Sequence, residues 1–455
     1  MTETKDNKTS LQETNRKYGD PWIWGIYITL VIISIIENYS ASSRNVATMG
    51  VYMPIIKHCT FLIAGALCVY GIARVDYNKQ WFLNTSIAFL AMFTVITLIW
   101  VMFFGEEVNG AQRAIKLPGF SIQPAEIAKL SIVTLLAYIL AKSQTGNDIS
   151  KKGMICAGIA VAVYGGLMVK NGLTNFLLLI SVCVSMLVIG GASFKKIVYL
   201  FGSLLICGGL FFAISHIGKG NDKVLDDAER QMRIEQNLPE NPADSLGVKE
   251  EQSFGRSSTW VARVERWWHS DSLVYWGITS KNQQEMFSRM AQAHGGLVGV
   301  GPGQSRECAR LPLAFSDYVF SIIVEEIGFV GGTVVLLLYL SLLGRAMMIV
   351  RRSNRVLPSL LIIGMASLIT FQALFHMAIN VGLFPVSGQP LPLISNGGTS
   401  ILVMSCAFGM MLSVSRTITN NKNANNNNTK EKEVELPEGL DAENPTQIIP
   451  RNVWR

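Results

Sequence analysis

The chain has 455 residues, 49% of them hydrophobic and only 16% charged, against about 25% charged in an average soluble domain. This composition excludes an ordinary water-soluble globule and indicates a membrane protein. The formal net charge of +7 does not indicate a nucleic-acid partner, because the basic residues fall in short loops between apolar runs and form no single basic face.

In chain order, the first twenty residues are polar and lack the apolar stretch of a cleavable signal peptide. Apolar runs of about the 20 residues needed to cross a bilayer follow, with cores at 22–40, 55–74, 82–104, 124–142, 152–169, 174–191, 196–216, 318–345, 356–381 and 397–416. The expected fold is therefore an all-α polytopic membrane protein of ten transmembrane helices. A β-barrel is not expected, because its strands would alternate apolar and polar residues. The seven cysteines include no CxxC pair and the five histidines are scattered, so neither a disulfide framework nor a metal-ligand spacing is present.

Lysine and arginine set the expected orientation. Arg16, Lys17, Arg74, Lys79, Lys142, Lys151, Lys152, Lys195, Lys196, Arg345, Arg351, Arg352 and Arg355 fall on one side, while the short loops of the other side and their edges carry only Arg44, Lys57, Arg113, Lys116 and Lys170. By the positive-inside pattern both termini are cytoplasmic. The expected division is a cytoplasmic tail at 1–21, seven spans within 22–216, a large extracytoplasmic loop at 217–316 between the seventh and eighth spans, three spans within 317–416, and a disordered cytoplasmic tail at 417–455. Within the loop, Trp260, Val261, Val264, Trp267 and Trp268 recur at helical spacing beside Arg256, Arg263 and Arg266. That pattern suits a helix in the outer interface; the plainer alternative is a helix packed on the spans.

Three stretches rich in glycine, proline and polar residues lie in outer connections by this topology: Asn109 to Leu130, Gln284 to Glu326 and Asn380 to Ser400. Their convergence implies one extracytoplasmic site. In the first, Arg113 and Lys116 are cations suited to an anionic head group, and Glu126 and Lys129 share one helix face at i to i+3. They are either site residues or, in the plain alternative, solvated loop charges and a structural ion pair. In the second, glycines 295, 296, 299, 301 and 303 permit a tight backbone, and Asp317, Glu325 and Glu326 place carboxylates in an apolar run. Acids in such a segment line a cavity or do chemistry. In the third, "GQPLPLISNGG" prevents a regular helix at the membrane edge, which is tolerated where the backbone is enclosed by protein.

Together, "GFSIQPAEIAKL", "LPLAFSDYVFSIIVEEIG" and "FPVSGQPLPLISNGGTS" resemble the motifs of the SEDS family of polytopic peptidoglycan glycosyltransferases, which includes FtsW, RodA and SpoVE. The resemblance implies polymerisation of lipid II into glycan strands at the outer face of the cytoplasmic membrane. It makes Asp317 the catalytic carboxylate, here a general base for the acceptor hydroxyl. Gln284, Ser395, Gly397, Gly398 and Ser400 join Arg113, Lys116, Glu126 and Lys129 as candidates for substrate contact, and Glu325 and Glu326 take a structural or cavity-lining role. A class B penicillin-binding transpeptidase and other division proteins are the implied partners. The cofactor is unknown; a divalent cation is compatible with the chemistry and the sequence shows none. His376 stands where asparagine is common in the family, and Asn396 where tyrosine is. The long outer loop and extended tails favour the division-type FtsW over the elongation-type RodA. The rival readings are a transporter or flippase for a lipid-linked precursor, against which stands the absence of an internal repeat, and a non-catalytic division scaffold, which Asp317 argues against.

Overall fold

A computed structural model describes residues 19–41, 53–75, 80–107, 112–117, 120–145, 148–169, 172–203, 264, 267–268, 282–311, 314–353 and 355–434. In chain order the helices are α1 (Pro21–Ala41), α2 (Met53–Ala73), α3 (Gln80–Phe104), α4 (Pro124–Lys142), α5 (Lys151–Val169), α6 (Leu173–Ile189), α7 (described over 194–203), α8 (Gln283–Gly295), α9 (Val319–Val350), α10 (Val356–Asn380) and α11 (Gly398–Val434). Eight of them, α1 to α5 and α9 to α11, are long and apolar enough to cross a membrane. The expected sixth span is shorter, because the turn at Gly190 and Gly191, the latter with φ +84°, ends α6. The expected seventh is described only in its first part, and residues 217–263 of the expected outer loop lie outside the described residues. The tail expected to be disordered from 417 is instead helical as far as Val434. Asparagine is a weak helix former, but here it extends an established helix and meets no nucleation cost.

Successive spans run up and down, so two ends of the bundle can be distinguished by their contacts. At one end Asp20 caps α1, its Oδ1 accepting from the Trp22 N–H at 3.0 Å, with Pro21 at the first helical position. The same carboxylate takes a bidentate pair from Arg345, with Nη2 to Oδ2 at 2.7 Å, and the Asp20 N–H donates to Ser415 at 3.1 Å. Lys196 donates to Asp148 at 2.7 Å at this end; that bond and one from the Ile149 N–H hold the exposed Asp148 carboxyl below its usual range.

The other end carries the irregular chain. Between α3 and α4 lies a small antiparallel sheet that the hydropathy pattern did not announce, β1 (Glu106–Glu107), β2 (Gln112–Leu117) and β3 (Phe120–Ile122), with Lys116 opposite Ser121. The Pro118-Gly119 pair that joins β2 to β3 is a turn signal. Thr399, at the start of α11, donates to Ser121 O at 2.8 Å and accepts from the Gln123 N–H at 3.3 Å, tying the sheet to the third motif.

The principal departure from a plain span is in α9. Gly328 adopts φ +78°, ψ −176°, which breaks the helix. The 296–301 loop that follows α8 supplies the missing backbone partners. Phe329 N donates to Gly296 O at 2.9 Å and Val330 N to Leu297 O at 3.3 Å, while Glu325 O and Glu326 O accept from Val300 N at 3.0 Å and Gly301 N at 2.9 Å. The glycines make this splice feasible: a methyl group on Gly299 or Gly328 would overlap the backbone of the opposite segment. Gly299→Ala should therefore unfold well below the parent in detergent. Gly303→Ala, at φ +78° with nothing within 4 Å of the added carbon, should cost only about 1 to 2 kcal/mol of backbone strain. Equal thermal shifts for the two variants would contradict the splice.

Candidate active site

The second and third motifs meet at the turn before α9. Phe315 O accepts from the Asn396 N–H at 2.9 Å, Ser316 O accepts from the Ser395 hydroxyl at 2.6 Å, and Asp317 O accepts from Asn380 Nδ2 at 3.1 Å. Three successive carbonyls are thus held by donors from the end of α10 and the 386–397 segment. The half-buried Asp317 side chain accepts from Ser316 Oγ at 3.1 Å. Opposite it is Gly388, where a Cβ would come within 3.1 Å of Asp317 Oδ2. Glycine there leaves room over the carboxylate.

The 386–397 segment stays irregular because its own polar groups are satisfied elsewhere. Pro390 and Pro392 remove two N–H donors. Tyr339 donates to Pro392 O at 2.6 Å, Asn38 Nδ2 to Ile394 O at 2.7 Å and Gln372 to Pro390 O at 3.1 Å. The Leu391 N–H donates to Ser395 Oγ at 2.7 Å. Leu393, at φ +64°, has the strained backbone that such over-determined surroundings sustain.

Of the residues expected to contact substrate, Glu126 and Lys129 form a buried ion pair. Lys129 Nζ lies 2.6 Å from Glu126 Oε1 and 2.7 Å from Gln372 Oε1, and the Lys129 side chain has no exposed surface. In this structure the pair is turned inward, the arrangement of the structural alternative, and the second Glu126 oxygen, Oε2, is buried with no hydrogen-bond partner among the described residues. The i to i+3 spacing formed the pair, and the packing of α4 against α10 closed it off. Ser395 is occupied by its backbone bonds. Gly398 is a packing residue, since a Cβ there would meet the Phe61 ring at 2.6 Å. Gly397 and Gln284 are half-buried, whereas Ser400 is buried and its Oγ has no hydrogen-bond partner among the described residues. Arg113 and Lys116 stand on β2 at this end of the bundle; their side chains lie outside the described residues.

Glu325 and Glu326 sit at the α9 break and are almost wholly buried. Glu325 accepts from the Arg306 N–H at 3.0 Å and from Ser305; Glu326 accepts from the Gly303 N–H at 3.0 Å and from Ser40. Both fasten the glycine loop, as the structural reading expected. Trp267 donates to Gly382 O at 2.9 Å, so it packs on the spans, while Trp268 is 75% exposed. The remainder of the expected interfacial helix, except Val264, lies outside the described residues. Among the described residues, no group of three or more His, Cys, Asp or Glu side chains is arranged to hold a metal ion.

Sequence reading passed over Gln372 and marked Asn380 only as the start of the third motif. With His376, whose Nδ1 lies 2.6 Å from Gln389 O, they stand four residues apart on α10 and form a polar stripe in an apolar helix. That spacing places them on one face, and it was the signal available.

Breaking a buried pair by removing one partner costs about 3 to 5 kcal/mol, whereas replacing both by apolar groups of similar volume is far milder. Lys129→Met should therefore lower the unfolding temperature more than Glu126→Leu and Lys129→Met combined. Thermal unfolding in detergent that ranks the double variant below the single would contradict a purely structural pair.

Residues 21–238 and 256–420 match a sequence model of the cell cycle proteins FtsW, RodA and SpoVE. The chain is 28% identical over 407 residues to stage V sporulation protein E of Bacillus subtilis, covering 88% of this chain and 98% of that one. It is 27% identical over 396 residues to a probable peptidoglycan glycosyltransferase FtsW of Trichlorobacter lovleyi, covering 85% and 91%. Among solved structures, one from work on a peptidoglycan synthase complex that coordinates polymerization and crosslinking aligns with a TM-score of 0.61 at 20% identity, covering 88% and 98%. The rod shape determining protein RodA of Thermus thermophilus aligns with a TM-score of 0.57 at 19% identity, covering 88% and 97%. The fold is shared with these structures, and the chain belongs to the FtsW, RodA and SpoVE family of cell cycle proteins.

Proposed function

We propose that this chain is a peptidoglycan glycosyltransferase that polymerises lipid II at the outer face of the cytoplasmic membrane during division, with Asp317 as its general base. The observation that carries the reading is the Asp317 turn: a half-buried carboxylate whose backbone is fixed at three successive carbonyls and beside which only a glycine, Gly388, fits without crowding it. Relatives named "probable peptidoglycan glycosyltransferase FtsW" support the activity class.

In the proposed reaction the 4-hydroxyl of the acceptor sugar attacks the anomeric carbon of the donor. As the new C–O bond forms, the hydroxyl proton passes to the Asp317 carboxylate, and the bond to the lipid pyrophosphate breaks with its electron pair leaving on the pyrophosphate oxygen. A base held within about 2.6 to 3.2 Å of that hydroxyl meets the geometric requirement. Arg113 and Lys116 are the cations proposed to bind the leaving pyrophosphate. Lys129 is not given that role in the proposal, since it is buried and bonded to Glu126 and Gln372. Both termini are proposed to be cytoplasmic from the lysine and arginine distribution, which would place Asp317 outside. A class B penicillin-binding transpeptidase is the proposed partner, because polymerised strands need crosslinking and a structural neighbour comes from work on a complex that coordinates the two.

Purified protein supplied with lipid II, alone and with that transpeptidase, should yield glycan polymer. Asp317→Asn should lower the rate by about 10² to 10⁴ while leaving thermal unfolding and lipid II binding near the parent. If the variant turned lipid II over like the parent under conditions where chemistry limits the rate, Asp317 would not be the base. Reporters fused near Asn237 and after Lys422 should label as extracytoplasmic and cytoplasmic respectively; the reverse pattern would put the site on the wrong face.

A further inference from the structure

Asn380 is 2% exposed, and its side-chain amide makes four hydrogen bonds. Its Nδ2 donates to Asp317 O at 3.1 Å and to His376 O at 2.9 Å. Its Oδ1 accepts from the Ser321 N–H at 3.2 Å and from Ser321 Oγ at 2.9 Å. Its main-chain oxygen accepts from Ser288 Oγ at 2.9 Å and Gln292 Nε2 at 2.7 Å, both on α8. Ser288 Oγ also lies 2.7 Å from Ser321 Oγ, so α8, the first turn of α9 and the last turn of α10 close on this one amide.

We propose that Asn380 is the positioning residue of Asp317, holding its carbonyl from α10 so that the carboxylate is presented to the substrate hydroxyl at fixed height and orientation. The proposal rests on Asp317 being the base. Two features separate it from ordinary packing. Nδ2 is a donor aimed at two carbonyls, which only an amide can serve while Oδ1 caps the α9 start at Ser321. The bond also reaches the backbone of the reacting residue itself, so the loss of one donor moves a carboxylate three bonds away. Displacing a catalytic group by about 1 Å can cost 10²-fold in rate.

Two variants divide the functions of the amide. Asn380→Asp keeps an acceptor for Ser321 and replaces the donor facing Asp317 O by oxygen; Asn380→Ala removes both. Ser288→Ala perturbs the same α8 junction without touching the Asp317 bond. Turnover is read as kcat and KM for lipid II, and the Asp317 carboxyl is followed independently by carbodiimide labelling across pH with peptide mapping, which reports on that group whether or not polymer forms. Both Asn380 variants should lose roughly 10- to 10²-fold in kcat with KM within about twofold, and should change the rate or the pH midpoint of Asp317 labelling. Ser288→Ala should lower thermal stability yet keep kcat and Asp317 labelling within about twofold. Parent-like labelling and kcat in both Asn380 variants would overturn the proposal, as would a Ser288→Ala variant that shifts labelling equally. If the parent made no polymer but Asp317 labelling still responded to Asn380, the proposed activity would fall and the catalytic positioning role of Asn380 with it, leaving only the structural coupling of Asn380 to the Asp317 turn.

Discussion

Backbone polar groups away from water must find partners inside the protein, and that constraint governs the irregular end of this bundle. α9 breaks at Gly328, and the break holds because the glycine loop accepts and donates the hydrogen bonds that the helix gives up. The 386–397 segment has no helix or strand of its own, so its carbonyls are met by Tyr339, Asn38 and Gln372 side chains, and its own Asn396 N–H and Ser395 hydroxyl are spent on the turn that carries Asp317. Satisfying the two irregular segments and placing the carboxylate are therefore one structural solution.

The charged and polar side chains inside the bundle divide by what they do. Glu325 and Glu326 fasten the glycine loop, and Asp20 with Arg345 fastens the opposite end. Lys129, paired with Glu126 on the same helix, joins α4 to α10 through Gln372. From Gln372 the polar stripe of α10 continues through His376, which meets the 386–397 segment at Gln389, to Asn380 and the Asp317 turn. α10 is thus the element that connects the buried ion pair to the Asp317 turn along one helix face.

The eight membrane-length helices and the meeting of the three motifs were legible in the sequence, because hydropathy over about 20 residues and Gly/Pro clusters at membrane edges are local signals. The break in α9 was not: 318–345 reads as one apolar run, and Gly328 differs from the helical glycines of other spans only through what packs against it. The glycines at 295–303 were correctly marked as permitting close approach, but the partner they approach lies across a connection that local pattern cannot bridge. Glu126 and Lys129 illustrate the same limit from the other side. Their spacing was right, and whether the pair faced a ligand or the core depended on Gln372, which is 243 residues from Lys129 in sequence. Short strands β1 to β3 escaped for a similar reason, since a ribbon of a few residues carries too few alternations to be read.

The central claim is that the Asp317 turn, held by three remote donors, is where the acceptor sugar is activated. An experimental structure of the Asp317→Asn chain with lipid II bound tests it most directly. The account predicts an acceptor 4-hydroxyl within about 2.6 to 3.2 Å of the residue 317 side chain, with the bonds from Asn396, Ser395 and Asn380 to the 315–317 carbonyls intact. A sugar head group seated elsewhere, with the turn unoccupied, would contradict it.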